Sequence, residues 1–216
     1  MKYERWDEWQ NRAEMCEVGR RLYNLFLVAA NDGNISVRLN DDELLITPTN
    51  VSKGFMKPEH IVKVTPDGEI LSRYGAFQPS SEMRLHLAIY RHRPDVRAIV
   101  HAHPPTATGF AVAGISMEDV FMPEVALRIG PTPLVPYAIP GGDELPASVI
   151  PYLKDHNSLL LSNHGAVVYA TNLTDALFQL EAVELTARVY LTARQLGHVN
   201  LLTAEQVQAL YARYQA

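Results

Sequence analysis

The run "VRAIVHAHPP", residues 96–105, restricts how this chain can fold more than any other stretch. A mostly apolar segment typical of a buried strand leads into His101 and His103, and two prolines then end it. Side chains two residues apart in a strand point to the same face, so both imidazoles project side by side. This pair at a strand end predicts a binding site for a divalent metal.

A third histidine in a similar setting completes the predicted site. A catalytic zinc usually has three protein ligands and one open position, and His164 lies in the polar turn of "LLLSNHGAVV" between two apolar strands. The alternative is that these histidines are buried residues with satisfied hydrogen bonds, and the spacing alone leaves that open. The other histidines lie in charged or helical contexts, and we assign them to the surface without a function: His60, His86, His92, His156 and His198.

Apolar periodicity along the chain alternates between helix and strand patterns, which is typical of an α/β protein. Helices are predicted over residues 6–30, within 79–95, over 104–114, 142–156 and 174–196, and from about Thr203. Strands are predicted as hairpins over 35–48 and 61–71, as a short strand at 132–137, and as a pair over 158–170. No repeat or linker interrupts this pattern, so we predict one α/β domain over residues 1–216.

Two serines and a glutamate open the helix predicted within 79–95. Ser80 or Ser81 would cap it, and Glu82 would be stabilised by the helix dipole. The functional alternative is an anion site at the helix N-terminus, with Glu82 beside it as a general base. The segments "NDGN" and "TPTN" are either simple turns or loops that hold a phosphate with backbone amides.

Charge and composition exclude several classes of function. The formal net charge is −5 with no basic face, which argues against nucleic acid as a partner. No apolar run approaches the length of a membrane span, and residues 1–10 are too charged for a signal peptide. The single cysteine, Cys16, excludes an internal disulfide and suits a reducing compartment. We therefore expect a cytoplasmic protein with no membrane association.

The motifs taken together, in their order along the chain, resemble the class II aldolase/adducin family. Within that family they are most similar to ketose-1-phosphate aldolases of the L-fuculose-1-phosphate aldolase type, over about residues 10–200. The segments that carry the resemblance are "NDGNISVRL", "LLITPTN", "PSSEMRLHLAIYRHRPDVRAIVHAHPP", "PLVPYAIPG" and "LLLSNHGAVV".

The resemblance implies a three-layer α/β/α fold with a mainly antiparallel central sheet. It also implies a homotetramer with active sites between subunits, and one Zn²⁺ per subunit, or another divalent metal, on His101, His103 and His164. Glu82 would be the acid/base, and the phosphate of the sugar substrate would bind at Gly33, Asn34, Thr49, Asn50, Ser80 and Ser81. The reaction would cleave a ketose 1-phosphate reversibly to dihydroxyacetone phosphate and an aldehyde.

Three positions depart from the pattern of the fuculose enzymes. Asn50 replaces a glycine of the phosphate loop, and Met122 stands where a neighbouring subunit's tyrosine is expected to protonate the aldehyde oxygen. Tyr211 and Tyr214 lie near the place of a second tyrosine. The apolar residue at 122 favours a less polar aldehyde half, so 5-deoxy- and 5-methylthio-pentulose 1-phosphates stand beside L-fuculose 1-phosphate as candidate substrates.

Other activities of the family stay open as alternatives. They are a sugar-acid phosphate decarboxylase, a pentulose-phosphate 4-epimerase and a methylthioribulose-phosphate dehydratase. The epimerases are expected to carry an aspartate in place of Glu82, which argues against that activity. A non-catalytic adducin-like scaffold would be expected to lose metal ligands, whereas this chain keeps the three histidines.

Overall fold

The computed structural model describes residues 8–72, 75 and 77–214. The helices are α1 (Glu8–Asn24), α2 (Met83–His92), α3 (Pro105–Val112), α4 (Glu144–Val149), α5 (Leu173–Gln195) and α6 (Ala204–Tyr214). The strands are β1 (Asn34–Arg38), β2 (Leu44–Ile46), β3 (Val62–Val64), β4 (Ile70–Ser72), β5 (Ala98–Ala102), β6 (Leu134–Val135), β7 (Ser158–Leu161) and β8 (Gly165–Ala170). A π-helical turn at Val125–Ile129 lies between α3 and β6.

These strands form one sheet in the order β4-β3-β2-β1-β5-β8-β7-β6. Neighbouring strands are antiparallel except β6 and β7, which are parallel. The predicted mainly antiparallel sheet is therefore confirmed. Strand β5 lies at its centre, between β1 and β8, and all of its residues are buried.

Helices cover both faces of the sheet and form a hydrophobic core with each face. Successive side chains of β5 point alternately into these two cores. Ala98, Val100 and Ala102 join the core that contains residues of α1, α3 and α5. Ile99 joins the opposite core, formed with α2 and α4. The three-layer α/β/α architecture is confirmed. His101 has the same parity as Ile99 and therefore lies on the face that α2 covers.

Several predicted boundaries were wrong. The helix predicted over 6–30 ends at Asn24, because the chain turns through Phe26 at φ 57° and buries Leu27 in the core. Its predicted start at Trp6 lies outside the described residues. The N-cap of α2 is Glu82 rather than Ser80 or Ser81.

The helix predicted over 142–156 is shorter than expected. It ends at Val149 and continues as a 3₁₀ turn over Ile150–Tyr152, where Pro151 lacks a backbone N–H. The long helix and the last helix were predicted correctly, and Asn172 caps α5 by accepting a hydrogen bond from the Asp175 amide. In the described part of the chain, no helix is both long and apolar enough to cross a membrane.

Candidate active site

Three histidines meet at one edge of the sheet, where β5 ends and the turn between β7 and β8 lies beside it. His101 is the last residue but one of β5, and His103 directly follows the strand. His164 directly precedes β8, whose first residues pair with the end of β5, Ala102 facing Ala166. The turn is tight enough that Asn163 adopts φ 55°. Antiparallel pairing of β5 with β8 thus brings together residues about sixty positions apart.

The side chains are close enough to share one ion. One ligand atom from each ring lies within 4.8 Å of those of the other two. The ring centroids are 5.1 Å apart for His101 and His103, 4.7 Å for His101 and His164, and 5.2 Å for His103 and His164. His101 is fully buried, and the other two are partly exposed.

Glu82 closes the group from the start of α2. Its Oε2 lies 3.2 Å from His101 Nε2, and its Oε1 lies 3.3 Å from His164 Nε2. The side chain of Asn34 donates a 2.8 Å hydrogen bond to Oε2. Asn34 lies beside the histidines because Asn34 and His101 are paired across β1 and β5. Glu82 is therefore held between the histidines and β1.

The charges of the group follow from these contacts. Burial would raise the pKa of Glu82, but His101, His164 and the bond from Asn34 outweigh it and hold that pKa far below its usual range. Burial lowers the pKa of His164 to about 4, and burial together with His101 lowers the pKa of His103. At His101 the Glu82 carboxylate outweighs burial and raises the pKa. At neutral pH the site therefore offers an ionised Glu82 carboxylate and neutral imidazoles at His103 and His164.

The residues present fit a divalent metal. Buried ring nitrogens of all three histidines, namely Nε2 of His101, Nε2 of His103 and Nδ1 of His164, have no hydrogen-bond partner among the described residues, and neither has Oε1 of Glu82. Buried polar atoms are rarely left unpartnered, and a bound ion or water is a usual explanation. Three imidazoles converging on one point are a typical ligand set for a catalytic zinc.

A glycine that the sequence did not single out sets the spacing of the site. A Cβ on Gly165 would lie 2.5 Å from the Ala102 carbonyl oxygen and 2.6 Å from Cδ2 of His103. Only glycine allows β8 and the His103 ring to approach this closely. Its position directly after His164 in the sequence is the one local signal that could have indicated it.

The segments predicted as phosphate loops lie side by side next to Glu82. The segments 47–49 and 78–80 are joined by a bridge between Pro48 and Pro79 and by backbone bonds from Thr49 N to Gln78 O and from Ser80 N to Thr47 O. Ser80 is buried and Ser81 is exposed.

The other residues that we predicted to bind the phosphate also lie at this edge of the sheet. Gly33 adopts φ 72°, and a Cβ there would lie 2.8 Å from the His101 carbonyl oxygen. Asn50 adopts φ 58°, a conformation that glycine takes freely and asparagine tolerates. The exchange of glycine for Asn50 therefore needs no change in the shape of this loop. The side chain of Asn34 is hydrogen-bonded to Glu82, and phosphate binding at Asn34 stays a prediction.

His86 corrects one of our assignments, because it is fully buried rather than on the surface. It lies one helical turn after Glu82, on the inward face of α2, and this spacing could have revealed it. Two further charged residues near the site were missed. Asp32 lies 3.7 Å from Nδ1 of His103. Lys53 is buried, donates to the carbonyls of Asn31 and Val51, and has its pKa lowered by burial to about 8.

Met122 lies in the segment before β6, and Tyr211 and Tyr214 lie in α6. Met122 precedes the π-helical turn, and the Tyr211 hydroxyl donates to the Ala126 carbonyl in that turn. Tyr214 is exposed. Among the described residues, no hydrogen bond or ion pair joins any of the three to the histidine group. A part in the site for these residues stays a prediction that requires a neighbouring subunit.

Comparisons with known proteins cover nearly the whole chain. Residues 13–191 match the profile of the class II aldolase and adducin N-terminal domain. The chain is 34% identical over 203 residues to 3-oxo-tetronate 4-phosphate decarboxylase from Escherichia coli K12, covering 88% of this chain and 94% of that protein. It is 32% identical over 214 residues to L-fuculose phosphate aldolase from Haemophilus influenzae, covering 94% and 95%.

A solved structure shares the fold. YgbL from Klebsiella pneumoniae, a candidate aldolase, epimerase or decarboxylase, superposes with a TM-score of 0.87 at 34% identity, over 95% of this chain and 99% of that one. The region matched by the profile contains Glu82 and all three histidines of the site.

Proposed function

The chain belongs to the class II aldolase and adducin family, and we propose that it is a metal-dependent lyase. Its substrate would be a small phosphorylated sugar or sugar acid, in which it breaks a carbon–carbon bond next to a ketone. One observation carries this proposal: a three-histidine group has an ionised Glu82 within 3.3 Å of two of its rings. A metal site beside a positioned base suits removal of a group or proton from the carbon next to a carbonyl.

His101, His103 and His164 would hold one Zn²⁺ per subunit. Another divalent metal is the alternative, since imidazole also binds several other first-row ions. When bound, the metal would act as a Lewis acid that stabilises negative charge developing on the ketone oxygen of the substrate. The partly exposed His103 and His164 leave the group open on one side, where a substrate could reach it.

Glu82 would hold and move the proton. Its Oε2 already accepts a hydrogen bond from Asn34, whereas Oε1 has no hydrogen-bond partner among the described residues. Oε1 is therefore the oxygen that would give a proton to the substrate carbon or take one from it.

Decarboxylation of a 3-oxo sugar-acid phosphate is the reaction we favour. A substrate such as 3-oxo-tetronate 4-phosphate would lose CO₂ from C2. Glu82 would take up one proton from solvent water and pass it to the resulting carbanion at C2, which gives dihydroxyacetone phosphate. The departing group is CO₂, whose oxygen atoms neither gain nor lose a proton, so this reaction needs no acid–base group at residue 122. Met122, which cannot transfer protons, occupies the position where an aldolase tyrosine is expected. The 34% identity to a decarboxylase of this type supports the same choice.

Aldol cleavage of a ketose 1-phosphate is the second candidate. It would leave the same carbanion and the same product, but the departing hydroxyl must lose its proton to become an aldehyde. The 32% identity to an L-fuculose phosphate aldolase supports this reaction. It requires an acid–base group in place of residue 122.

A substrate panel separates the two reactions. The zinc-loaded protein is incubated with 3-oxo-tetronate 4-phosphate, L-fuculose 1-phosphate and a 5-deoxypentulose 1-phosphate, and dihydroxyacetone phosphate is measured by a coupled dehydrogenase. Release of CO₂ with the first compound alone identifies the decarboxylase, and an aldehyde from either of the others identifies the aldolase. Absence of product from every compound, with zinc and with other divalent metals, would contradict the proposal.

We also propose a cytoplasmic homotetramer in which Met122 and the C-terminal helix α6 face a neighbouring active site. The proposal rests on the resemblance and, for the compartment, on the single cysteine. Light scattering should give four times the chain mass of 24.1 kDa. A stable monomer with full activity would contradict the tetramer.

A further inference from the structure

A line of buried polar side chains leads from Glu82 into the interior between α2 and β1. Asn34 Nδ2 lies 2.8 Å from Glu82 Oε2, and Asn34 Oδ1 lies 2.5 Å from His86 Nε2. His86 Nδ1 lies 2.6 Å from the Ser36 hydroxyl, which lies 2.8 Å from the Tyr90 hydroxyl. All five side chains are buried, and His86 is 0% exposed.

The donors in this line can be assigned from chemistry alone. An ionised Glu82 only accepts, so the amide of Asn34 must present its NH₂ group to it and its carbonyl to His86. A carbonyl also only accepts, so His86 must carry its proton on Nε2. Its Nδ1 then accepts from the Ser36 hydroxyl. Each donor points towards Glu82.

His86 is held in this single tautomer by its surroundings. Burial, and next the charge on His101, lower the pKa of His86 to about 3, so the ring stays neutral and carries one N–H. Each of its two nitrogens already has a partner of fixed role. Turning the Asn34 amide over would place a carbonyl oxygen against a carboxylate and leave His86 Nε2–H facing an NH₂ group.

We propose that His86 is a positioning residue for the reaction. By donating to Asn34 Oδ1 it fixes the orientation of the Asn34 amide, which in turn occupies Oε2 of Glu82 and leaves Oε1 to carry the proton. The role of Oε1 rests on the proposed function, whereas the hydrogen-bond direction does not.

Neutron diffraction of the deuterated, zinc-loaded protein tests the direction of the line without any assay of activity. We expect deuterium on Nε2 and not on Nδ1 of His86, and an ND₂ group of Asn34 facing Glu82. Deuterium on Nδ1, or on both nitrogens, would overturn the proposal even if the protein proves to be an active lyase. The same result stands if the proposed reaction fails.

Two variants of matched size test the consequence for catalysis. His86→Gln places an amide N–H near the former Nε2 position, whereas His86→Met fills the space without a donor. We expect His86→Met to lower kcat by about 10- to 100-fold, with KM and zinc content within twofold of wild type, and His86→Gln to restore most of the loss. His92→Gln and His92→Met, on the exposed part of the same helix, serve as controls.

A purely structural role predicts a different result. The two variants at residue 86 would then lose kcat in proportion to their loss of stability in urea unfolding, without a difference that follows the N–H donor. Equal kcat in His86→Gln and His86→Met at equal stability would overturn the proposal. If neither variant folds, the neutron experiment on the wild-type protein decides.

Discussion

Replacement of Gly165 by alanine should weaken metal binding without unfolding the protein. The added Cβ would lie 2.5 Å from the Ala102 carbonyl oxygen and 2.6 Å from Cδ2 of His103, where ordinary contact begins at 3.4 Å. Both contacts must be relieved, so the edge between β5 and β8 must open by about 0.9 Å and the His103 ring must also move by about 0.8 Å.

The ring shift does not relieve the contact with the Ala102 carbonyl oxygen, so the added Cβ also pushes β8 away from the fully buried strand β5. Metal–ligand distances tolerate about 0.2 Å, so a displacement several times larger removes His103 from its place. We expect the Kd for zinc to rise by about 10- to 100-fold and the free energy of unfolding of the metal-free protein to fall by about 1–3 kcal/mol.

Competition with a chromophoric zinc chelator measures the affinity, and urea unfolding measures the stability. The matched control is Gly109→Ala in α3, where an added Cβ meets nothing within 4 Å. That variant should keep its zinc affinity and gain roughly 0.5–1 kcal/mol from helix propensity. A Gly165→Ala protein with wild-type zinc affinity would refute the reasoning.

Three further predictions concern single side chains. His103→Ala should lose most of its zinc by elemental analysis, and a variant that keeps one zinc per chain would exclude His103 as a ligand. Glu82→Gln should retain zinc but turn over about 100-fold more slowly or worse, and exchange of the dihydroxyacetone phosphate proton with D₂O should slow in parallel; exchange at the wild-type rate would place the base elsewhere. Because burial lowers the pKa of Lys53 from 10.5 to about 8, the unfolded chain binds more protons between these values, and stability rises with pH by about 3 kcal/mol across that window. Lys53→Met should abolish this rise in urea unfolding measured at pH 8 and 10, and an unchanged rise would show that other groups cause it.

The sequence by itself determined the local parts of the site. The period of two along residues 98–103 predicts that His101 and His103 lie on one face, and in the structure their ring centroids are 5.1 Å apart. The polar turn before Gly165 marked His164, and the helix start marked Glu82, although the cap was assigned to the wrong residue. These features depend on interactions within a few residues, which a single sequence records directly.

Only the tertiary structure decided which distant residues meet. The order of the strands pairs Asn34 with His101. Packing of α2 on this face of the sheet brings Glu82 and His86 within hydrogen-bond distance of the Asn34 side chain. The periodicity of α2 indicates an inward face but not what covers it, so a histidine among charged neighbours was assigned to the surface although β1 buries it. Residue 165 must be glycine because a Cβ there would clash with the carbonyl oxygen of Ala102, about sixty residues earlier in the chain. Such contacts depend on strand pairing and layer packing, which connect residues far apart in sequence and leave no periodic signal in the segments that they join.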